Sequence, residues 1–310
     1  MATQARNTPA WIVTGPMSGM GRYAASELAQ HGTVVLVGRD PDKLESVKAE
    51  IESATGNHAV SIACDFSDIE NVRAAAAQIV ELGLPLAGLL NNAGIMPNRA
   101  EKNFQGWDLA FTTNHLGPFA FTEALVPHLP DHANVVFTCS SSEDPDNKPA
   151  VTVGFRGGRY ISADASARGE WLPGGSSKPG FDAYATSKQA NLATVLALAR
   201  EIPRLQFSAV EPGFNSGTGL GRDAGPLLKF LAHYVLSPLA PLIRNWSTPK
   251  RAARLLATVL TTPQQTSGTY YDESGKPMLG SAQVRDPAFS DRVVAETRAL
   301  LSTQTLSQSL

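Results

Sequence analysis

The sequence predicts an α/β protein built on a doubly wound parallel sheet of about seven strands, with helices on both faces. From residue 10 to about 140, short apolar runs alternate with longer segments of helical periodicity, which is the pattern of βαβ units. The run VVLV at 34–37 is apolar without alternation, as expected of a strand that is covered on both faces. No repeat or linker divides the sequence, so we expect one domain over 1–310.

Each strand is predicted from a β-branched or leucine-rich run that is bounded by turn residues. The predicted strands are 10–14, 33–38, 59–64, 86–91, 134–139, 205–210 and 268–271. Helical periodicity predicts helices at 20–31, 41–54, 68–83, about 103–128, 182–201 and 249–262. Pro41, directly after Asp40, suits the first turn of the second helix, where a missing N–H is tolerated.

Composition argues against several classes of protein. The formal net charge is −2 and the basic residues are scattered, so no nucleic-acid partner is expected. Cys64 and Cys139 each lie in an apolar run that predicts a buried strand, which favours two reduced core thiols over a disulfide. The histidines, including His115, show no spacing typical of metal ligands, so no metal is expected and they are interpreted as structural or solvated.

Neither the N-terminus nor the most apolar segment predicts a membrane or secreted protein. The first ten residues, MATQARNTPA, lack the apolar core of a signal peptide, and a cytoplasmic location is expected. The most apolar segment, 226–246, contains charged residues and the prolines Pro238 and Pro241. It is therefore not expected to form a transmembrane helix.

A glycine-rich turn follows the first predicted strand. The segment TGPMSGMGR places Gly15, Gly19 and Gly21 between that strand and a helix that begins near Met20. There Gly15 permits a tight turn, Gly19 lets the backbone approach a pyrophosphate, and Gly21 allows close helix packing. The helix N-terminus offers N–H groups to the anion, and we expect Ser18 and Met20 to join the site. The pattern predicts dinucleotide binding; an ordinary glycine-rich turn is the alternative.

The end of the second predicted strand favours NADP(H) over NAD(H). Gly38 stands where an acidic residue that accepts the ribose hydroxyl would be expected in an NAD enzyme, and Arg39 follows with a guanidinium suited to a 2′-phosphate. The alternative depends on Asp40. If Asp40 rather than Arg39 faced the site, its charge would repel that phosphate and the preference would reverse.

A tyrosine and a lysine are spaced for acid/base chemistry. Tyr184 and Lys188 stand four residues apart near the start of a predicted helix, so both side chains lie on one face about one turn apart. A phenol holds its proton with a pKa of about 10, and a neighbouring cation favours the phenolate and lowers that pKa. The alternative is an ordinary surface pair on an amphipathic helix.

Three motifs together resemble the short-chain dehydrogenase/reductase family. They are TGxxxGxG at the glycine turn, NNAG at Asn91–Gly94, and YxxxK at Tyr184–Lys188, and the resemblance covers essentially the whole chain. The glycine spacing is similar to that of the single-domain branch of the family and differs from that of the extended branch. The resemblance implies a Rossmann-type fold and an NAD(P)-dependent oxidoreductase.

The resemblance also implies roles for individual residues. Asn114 is expected to be the structural and proton-relay asparagine, Tyr184 the acid/base, and Lys188 the group that lowers the tyrosine pKa and holds the nicotinamide ribose. Asn91 belongs to the motif that supports the central sheet. The remaining expected cofactor contacts are Asp65 at the adenine, its neighbour Phe66, Ala93, Gly94, Pro212 and Gly213 near the nicotinamide, and Thr218 at its carboxamide or the diphosphate.

The family serine falls within a run of three. The segment NVVFTCSSSED offers Ser140, Ser141 and Ser142, and alignment of the apolar strand with the family pattern selects Ser140. Its hydroxyl would hydrogen-bond the substrate carbonyl and, together with Tyr184, stabilise the negative charge that develops on oxygen during hydride attack.

Two segments are expected to shape the substrate pocket. The gap between Ser140 and Tyr184 is longer than in most of the family, and the insertion at about 141–181 resembles that of retinol dehydrogenases, carbonyl reductases and protochlorophyllide reductases. The apolar segment at about 214–247 falls where the family places its substrate lid, with Leu227, Leu228, Leu231 and Leu236 as candidate lining residues. Core packing or a subunit contact are the alternatives for the lid residues, and a membrane patch is less favoured.

These observations predict an NADP(H)-dependent enzyme that transfers a hydride between the nicotinamide and a carbonyl or alcohol group of a bulky, lipophilic small molecule. Two alternatives stay open: an NADP(H)-binding sensor or structural protein without turnover, and a reductase of a carbon–carbon double bond in a tetrapyrrole-like ring. Relatives form dimers or tetramers through their long helices, whereas members with this insertion include monomers, so a homo-oligomer is one expectation.

Overall fold

A computed structural model describes residues 8–213 and 247–307 of the chain. Its centre is an eight-stranded sheet with the strand order β3-β2-β1-β4-β5-β6-β7-β8. The strands are β1 Ala10–Thr14, β2 Thr33–Gly38, β3 Ala59–Ala63, β4 Leu86–Asn91, β5 Asn134–Thr138, β6 Gln206–Val210, β7 Thr269–Tyr271 and β8 Pro277–Met278. Seven strands are parallel, and β8 runs antiparallel to β7. The predicted fold class is confirmed.

The sequence predicts seven of these strands to within one residue at each end. Every residue of β1, β2 and β5 is buried, which explains why those runs are apolar without alternation. The eighth strand has only two residues and pairs through Tyr270 with Met278 and Tyr271 with Pro277. A segment of that length carries no periodicity, so the sequence gives no signal for it.

Ten helices lie in the described part of the chain. They are α1 Gly19–Leu28, α2 Pro41–Thr55, α3 Ile69–Glu81, α4 Leu109–Leu125, α5 Lys148–Val153, α6 Ala163–Arg168, α7 Pro179–Glu201, α8 Pro249–Thr261, α9 Ala282–Arg285 and α10 Pro287–Ser307. Helix α4 has three continuous parts: Leu109–Phe111, a π-helical segment Thr112–Leu116, and Gly117–Leu125. It begins six residues later than predicted because Asp108 caps it, accepting a hydrogen bond from the N–H of Phe111 at 2.8 Å.

Helices cover both faces of the sheet and bury a core on each. Helices α3, α4, α7 and α10 lie on one face, where Val72 and Leu192 are among the core side chains. Helices α1, α2 and α8 lie on the other, with Leu44 and Leu256 in its core. Cys64 and Cys139 are both buried and unpaired, as the sequence predicts.

The insertion after β5 packs on the C-terminal helix. It contains a 3₁₀ turn, Ser141–Glu143, and the short helices α5 and α6. The phenol of Tyr160 donates to Glu296 of α10 at 2.7 Å, and Arg292 donates to the carbonyl of Ile161 at 2.9 Å. Sequence analysis assigned no element after residue 271, so both α10 and its contact with the insertion are findings of the structure.

The strand order reverses between β1 and β4. The glycine turn follows β1 and the NNAG segment follows β4, so both meet at the carboxyl ends of these neighbouring strands. In open α/β sheets such a reversal opens a crevice in which ligands bind. Among the described residues, none of the helices is both long enough and apolar enough to cross a membrane.

Candidate active site

The glycine turn is packed tightly against its neighbours. Gly15 has a φ of +69°, a conformation that favours glycine. A Cβ atom on Gly21 would lie 2.1 Å from the carbonyl oxygen of Gly15 and 2.5 Å from the Nδ2 atom of Asn92. Ser18 precedes α1 and its side chain makes no capping hydrogen bond. The first N–H groups of α1 therefore have no side-chain cap, and the turn fits a pyrophosphate group.

Thr14 and Asn92, which sequence analysis did not single out, hydrogen-bond the start of this turn to the segment that follows β4. The hydroxyl of Thr14 accepts hydrogen bonds from the N–H groups of Asn92 and Ala93, both at 2.9 Å. The Asn92 amide donates back to the carbonyl of Thr14 at 3.1 Å. The available signal was the threonine before Gly15 and the second asparagine of NNAG, two polar residues at the ends of apolar strands.

Arg39 and Asp40 follow β2 and have different surroundings. Arg39 is exposed, whereas Asp40 is hydrogen-bonded to Lys43 in its own helix. Asp40 caps α2 by accepting from the N–H of Lys43 at 3.2 Å, and it pairs with the Lys43 ammonium at 2.5 Å. These bonds hold the pKa of Asp40 below its usual value. Arg39 is exposed and forms no ion pair within the part of the chain that the structure describes. The structure thus brings Arg39 to the rim of the crevice and turns Asp40 toward its own helix.

Asp65 and Phe66 follow β3 in a compact turn. The Asp65 carboxylate accepts from the N–H and the hydroxyl of Ser67 at 2.9 and 2.8 Å. The Phe66 ring is buried edge-on against Phe121, with ring centroids 5.4 Å apart. These contacts fix the turn beyond β3, and the adenine contacts stay predictions.

The NNAG segment leads from the sheet to the catalytic helices. Asn91 is buried and donates to the hydroxyl of Thr122 on α4 at 2.9 Å, consistent with the supporting role implied by the family motif. Ala93 contacts the glycine turn: a Cβ atom on Gly15 would lie 2.9 Å from the Cα of Ala93. Gly94 lies beside both Asn114 and the ammonium of Lys188. These residues therefore connect the phosphate end of the crevice to its catalytic end.

The side chain of Asn114 forms two hydrogen bonds with the backbone of Ile95, the residue after NNAG. Its Oδ1 accepts from the N–H of Ile95 at 2.7 Å, and its Nδ2 donates to the carbonyl of the same residue at 2.9 Å. Nδ2 also lies 3.0 Å from the hydroxyl of Ser187 on α7. Asn114 thus joins three elements, which agrees with a structural role.

The main-chain carbonyl of Asn114 lacks the N–H donor four residues later that an α-helix supplies. Four residues later stands Pro118, which has no N–H, so the usual helical partner of that carbonyl is missing. The π-helical segment occupies this position, and the amide of Asn191 donates to the carbonyl at 2.8 Å. His115 lies behind Asn191, and both its ring nitrogens are hydrogen-bonded, to Asn191 at 3.0 Å and Thr297 at 3.1 Å. Complete burial lowers the pKa of His115 to about 4, which supports its structural interpretation.

Tyr184, Ser140 and Lys188 come together at the carboxyl end of β5. The Ser140 hydroxyl lies near the phenol of Tyr184 and lowers its pKa. The Lys188 ammonium lies 5.6 Å from the centre of the Tyr184 ring and donates to the carbonyl of Thr138 at 2.7 Å. Ser142 is buried and its hydroxyl has no partner among the described residues. Of the three serines, Ser140 is the one that faces the tyrosine.

Burial has the largest effect on the proton affinity of this pair. It raises the pKa of Tyr184, the nearby Glu211 carboxylate raises it further, and the Ser140 hydroxyl lowers it. Burial also lowers the pKa of Lys188, against the attraction of Glu211 and Cys139. The net direction for Tyr184 is upward because burial has the largest effect, and the expected lowering of its pKa by Lys188 stays a prediction. A phenol in this state keeps its proton at neutral pH.

Glu211 is a buried carboxyl that sequence analysis missed. It follows β6 and is 8% exposed. One carboxyl oxygen accepts from the N–H of Ser141, and the other accepts from the N–H of Gly213 at 3.0 Å. Only the EPG sequence hinted at it, since an acidic residue at the end of an apolar strand is unusual for a core position.

Pro212 and Gly213 stand at the carboxyl end of β6, beside the turn that carries Ser140. Thr218 and the four candidate lid leucines lie outside the described residues. The nicotinamide contacts of Pro212, Gly213 and Thr218 stay predictions.

An aromatic cluster from the insertion lies next to the tyrosine. Phe155 stacks on Phe181 with ring centroids 4.1 Å apart and an angle of 17° between the rings. Phe155 also lies 6.0 Å from the Tyr184 ring, and Met96 packs against the same cluster. The insertion therefore places apolar side chains beside Tyr184, where we expected one wall of a substrate pocket.

Comparison with known proteins agrees with this geometry. The family described as short chain dehydrogenase matches residues 10–149. A short-chain dehydrogenase/reductase from Armillaria gallica is 29% identical over 280 residues, covering 87% of this chain and 85% of that protein. The chloroplastic protochlorophyllide reductase of Chlamydomonas reinhardtii is 28% identical over 306 residues, covering 94% of this chain and 75% of that protein.

Solved structures share the fold. The crystal structure of a short chain dehydrogenase from Shigella flexneri 2a complexed with NADP is 26% identical, with a TM-score of 0.61, and covers 87% of this chain and 98% of that chain. The family match covers the glycine turn and Ser140, and the solved structure shares the fold of the chain. The chain is therefore similar in sequence and fold to short-chain dehydrogenases/reductases, which indicates an NAD(P)-dependent oxidoreductase.

Proposed function

We propose that the protein is an NADP(H)-dependent oxidoreductase that transfers a hydride between the nicotinamide and a carbonyl or alcohol group of a bulky, lipophilic small molecule. The observation that carries the proposal is the buried Tyr184 phenol with the Lys188 ammonium 5.6 Å from its ring centre and the Ser140 hydroxyl nearby. Two hydroxyl donors on one side of a site suit a carbonyl oxygen that gains negative charge.

The roles of the three side chains follow from their contacts. In carbonyl reduction the bound nicotinamide supplies the hydride to the carbonyl carbon. Ser140 donates a hydrogen bond to the carbonyl oxygen, and Tyr184 transfers its phenolic proton to that oxygen, giving the alcohol. Lys188, held by the carbonyl of Thr138, keeps a positive charge beside the phenolate that remains. Alcohol oxidation uses the same groups in reverse.

The preference for NADP(H) is supported by the rim of the crevice. Arg39 is exposed and unpaired within the described residues, so its guanidinium is available to a 2′-phosphate. Asp40, the residue that would oppose this, is engaged by the N–H and the ammonium of Lys43. The relative from Shigella flexneri was crystallised with NADP.

The substrate class is supported by the aromatic cluster. Phe155, Phe181 and Met96 present apolar surface beside Tyr184, which favours a substrate with an extended apolar or aromatic body. The relative from Chlamydomonas reinhardtii acts, by its name, on protochlorophyllide, a large ring system. That relative makes reduction of a carbon–carbon double bond the second candidate reaction for this site.

The proposal is tested by following NADPH consumption with a panel of lipophilic ketones, aldehydes and quinones. We expect turnover with some of them, and Tyr184→Phe should reduce kcat by about 100-fold or more while NADPH affinity stays close to wild type. Tyr271→Phe is the matched control, since that phenol bonds to Gln264 and the substitution leaves the main chain of residue 271 unchanged.

The outcomes separate the candidates. An alcohol product identifies the carbonyl reaction, and a saturated bond with the carbonyl intact identifies the second candidate. NADPH binding without consumption of NADPH by any substrate of either kind would contradict both and would favour a sensor. Equal activity in Tyr184→Phe and wild type would contradict the role of the tyrosine.

A further inference from the structure

Glu211 occupies a position between the two turns that flank the proposed reaction site. One turn follows β5 and carries Ser140; the other follows β6 and is formed by Pro212 and Gly213. Strands β5 and β6 are neighbours, so their carboxyl ends lie side by side. The backbone of Glu211 is itself fixed, because its N–H donates to the carbonyl of Tyr271 on β7 at 2.8 Å.

The carboxyl group of Glu211 contacts both turns. One oxygen accepts from the N–H of Ser141. The other oxygen accepts from the N–H of Gly213 at 3.0 Å. Both N–H groups are donors, which an ionised carboxylate satisfies at both of its oxygens. A glutamine would direct an NH₂ group at one of these N–H groups and lose that bond.

We propose that Glu211 is a positioning residue of the active site, holding the Ser140 turn and the Pro212–Gly213 turn in one fixed arrangement and imposing its negative charge on Tyr184. The inference rests on the proposed function. Ser140 is adjacent to the residue that Glu211 binds, so a shift of that turn moves the hydroxyl that faces the substrate oxygen. A displacement of about 1 Å at such a site lowers turnover by roughly 100-fold.

The charge of Glu211 acts among several other titratable groups. Those that face it are Tyr184 and Lys188 on α7, Cys139 and Glu143 around the end of β5, Tyr270 on β7, and Glu273 beyond it. Burial raises the pKa of Glu211, against the hydrogen bonds from Ser141 and Gly213. A carboxyl is still more acidic than a buried phenol, so Glu211 is ionised wherever Tyr184 loses its proton.

The charge of Glu211 affects the pH at which carbonyl reduction is lost. A negative Glu211 raises the pKa of Tyr184. Carbonyl reduction needs the protonated phenol, so activity falls as pH rises through that pKa. Glu211→Gln removes the charge, and the alkaline limb of the pH profile should move to lower pH by about one unit. A residue with a purely structural role would change the height of the profile and leave the limb in place.

The test compares wild type, Glu211→Gln and Glu211→Asp in kcat, KM and pH profile for NADPH-dependent carbonyl reduction. Glu211→Gln should lower kcat by about tenfold or more and move the alkaline limb to lower pH. Glu211→Asp keeps the charge with a shorter reach, so its limb should stay in place while kcat falls. Asp146→Asn, which removes an exposed carboxylate of the insertion, is the matched control and should change neither.

Several outcomes would overturn the inference. The first is that Glu211→Gln has the kcat of the wild type and an alkaline limb at the same pH as the wild type. If Glu211→Gln fails to fold, a kcat of Glu211→Asp equal to that of the wild type is sufficient to reject the inference. If the wild type reduces no carbonyl, the proposed function fails, and Glu211 is judged by the fluorescence of bound NADPH. Glu211→Gln must then change the emission or the affinity of NADPH, because the Gly213 turn moves; values equal to wild type would reject the inference.

Discussion

The two ends of the proposed dinucleotide crevice are built in different ways. At the phosphate end, close backbone packing shapes the site: Gly21 lies against the carbonyl of Gly15, and Thr14 holds the next strand. At the catalytic end, buried polar side chains from distant segments shape it, with Glu211 and Ser141 separated by 70 residues in sequence. The shape of the phosphate end depends on glycines that have no side chain. The shape of the catalytic end depends on which side chains come into contact.

This difference predicts which measurement each end controls. Substitutions at the catalytic end should lower turnover and leave cofactor affinity nearly unchanged. Substitutions at the phosphate end should weaken the cofactor. A variant that altered both quantities equally would remove the distinction.

The largest effect is expected for Ser140→Ala. Loss of one of the two donors to the developing oxyanion should lower kcat by about 100- to 1000-fold, with NADPH affinity nearly intact. Steady-state kinetics and NADPH fluorescence titration measure the two quantities. Ser142→Ala is the control: its hydroxyl is buried without a partner in the described chain, so kcat should stay at the wild-type value. Full activity in Ser140→Ala would show that another serine is used.

Gly21→Ala tests the phosphate end directly. The new methyl group would overlap the carbonyl of Gly15, and relief of that overlap should cost about 1–3 kcal/mol and weaken NADPH binding by about 10- to 100-fold. Gly56→Ala is the control, because no atom lies within 4 Å of a new Cβ at Gly56, which has a positive φ. That variant should lose thermal stability without losing NADPH affinity. Unchanged affinity in Gly21→Ala would contradict the packing argument.

Arg39→Ala should separate the two cofactors at the phosphate end. Removal of a charge-assisted hydrogen bond should weaken NADPH by about tenfold and leave NADH almost unaffected. Isothermal titration with each cofactor gives the comparison. Lys48→Ala removes a half-buried cation from α2 that already pairs with Glu45, and it should change neither affinity. Equal losses for NADPH and NADH in Arg39→Ala would argue against recognition of the 2′-phosphate.

The smallest effect is expected for Phe155→Ala in the aromatic cluster. Loss of the stacked ring should raise KM for bulky aromatic ketones by about threefold to tenfold and affect small ketones less. Phe104, which is 74% exposed, provides the control variant Phe104→Ala. If KM rose equally for small and bulky ketones, Phe155 would support the fold of the insertion rather than contact the substrate.

The sequence alone determined the features that depend on neighbouring residues. Strands β1 to β7 follow from buried apolar runs, and the glycine turn follows from a motif between a strand and a helix. Tyr184 and Lys188 are paired by their spacing alone, because the helical repeat fixes which residues share a face. The family motifs then added Asn114 and Ser140.

Only the tertiary structure decided the contacts between segments far apart in the chain. It set the net direction of the Tyr184 pKa, because burial depends on everything packed around the phenol. It also turned Asp40 toward Lys43, joined the insertion to α10, and brought Glu211 to the Ser140 turn. No local pattern encodes such contacts, since they arise only when strands that are distant in sequence become neighbours in the sheet.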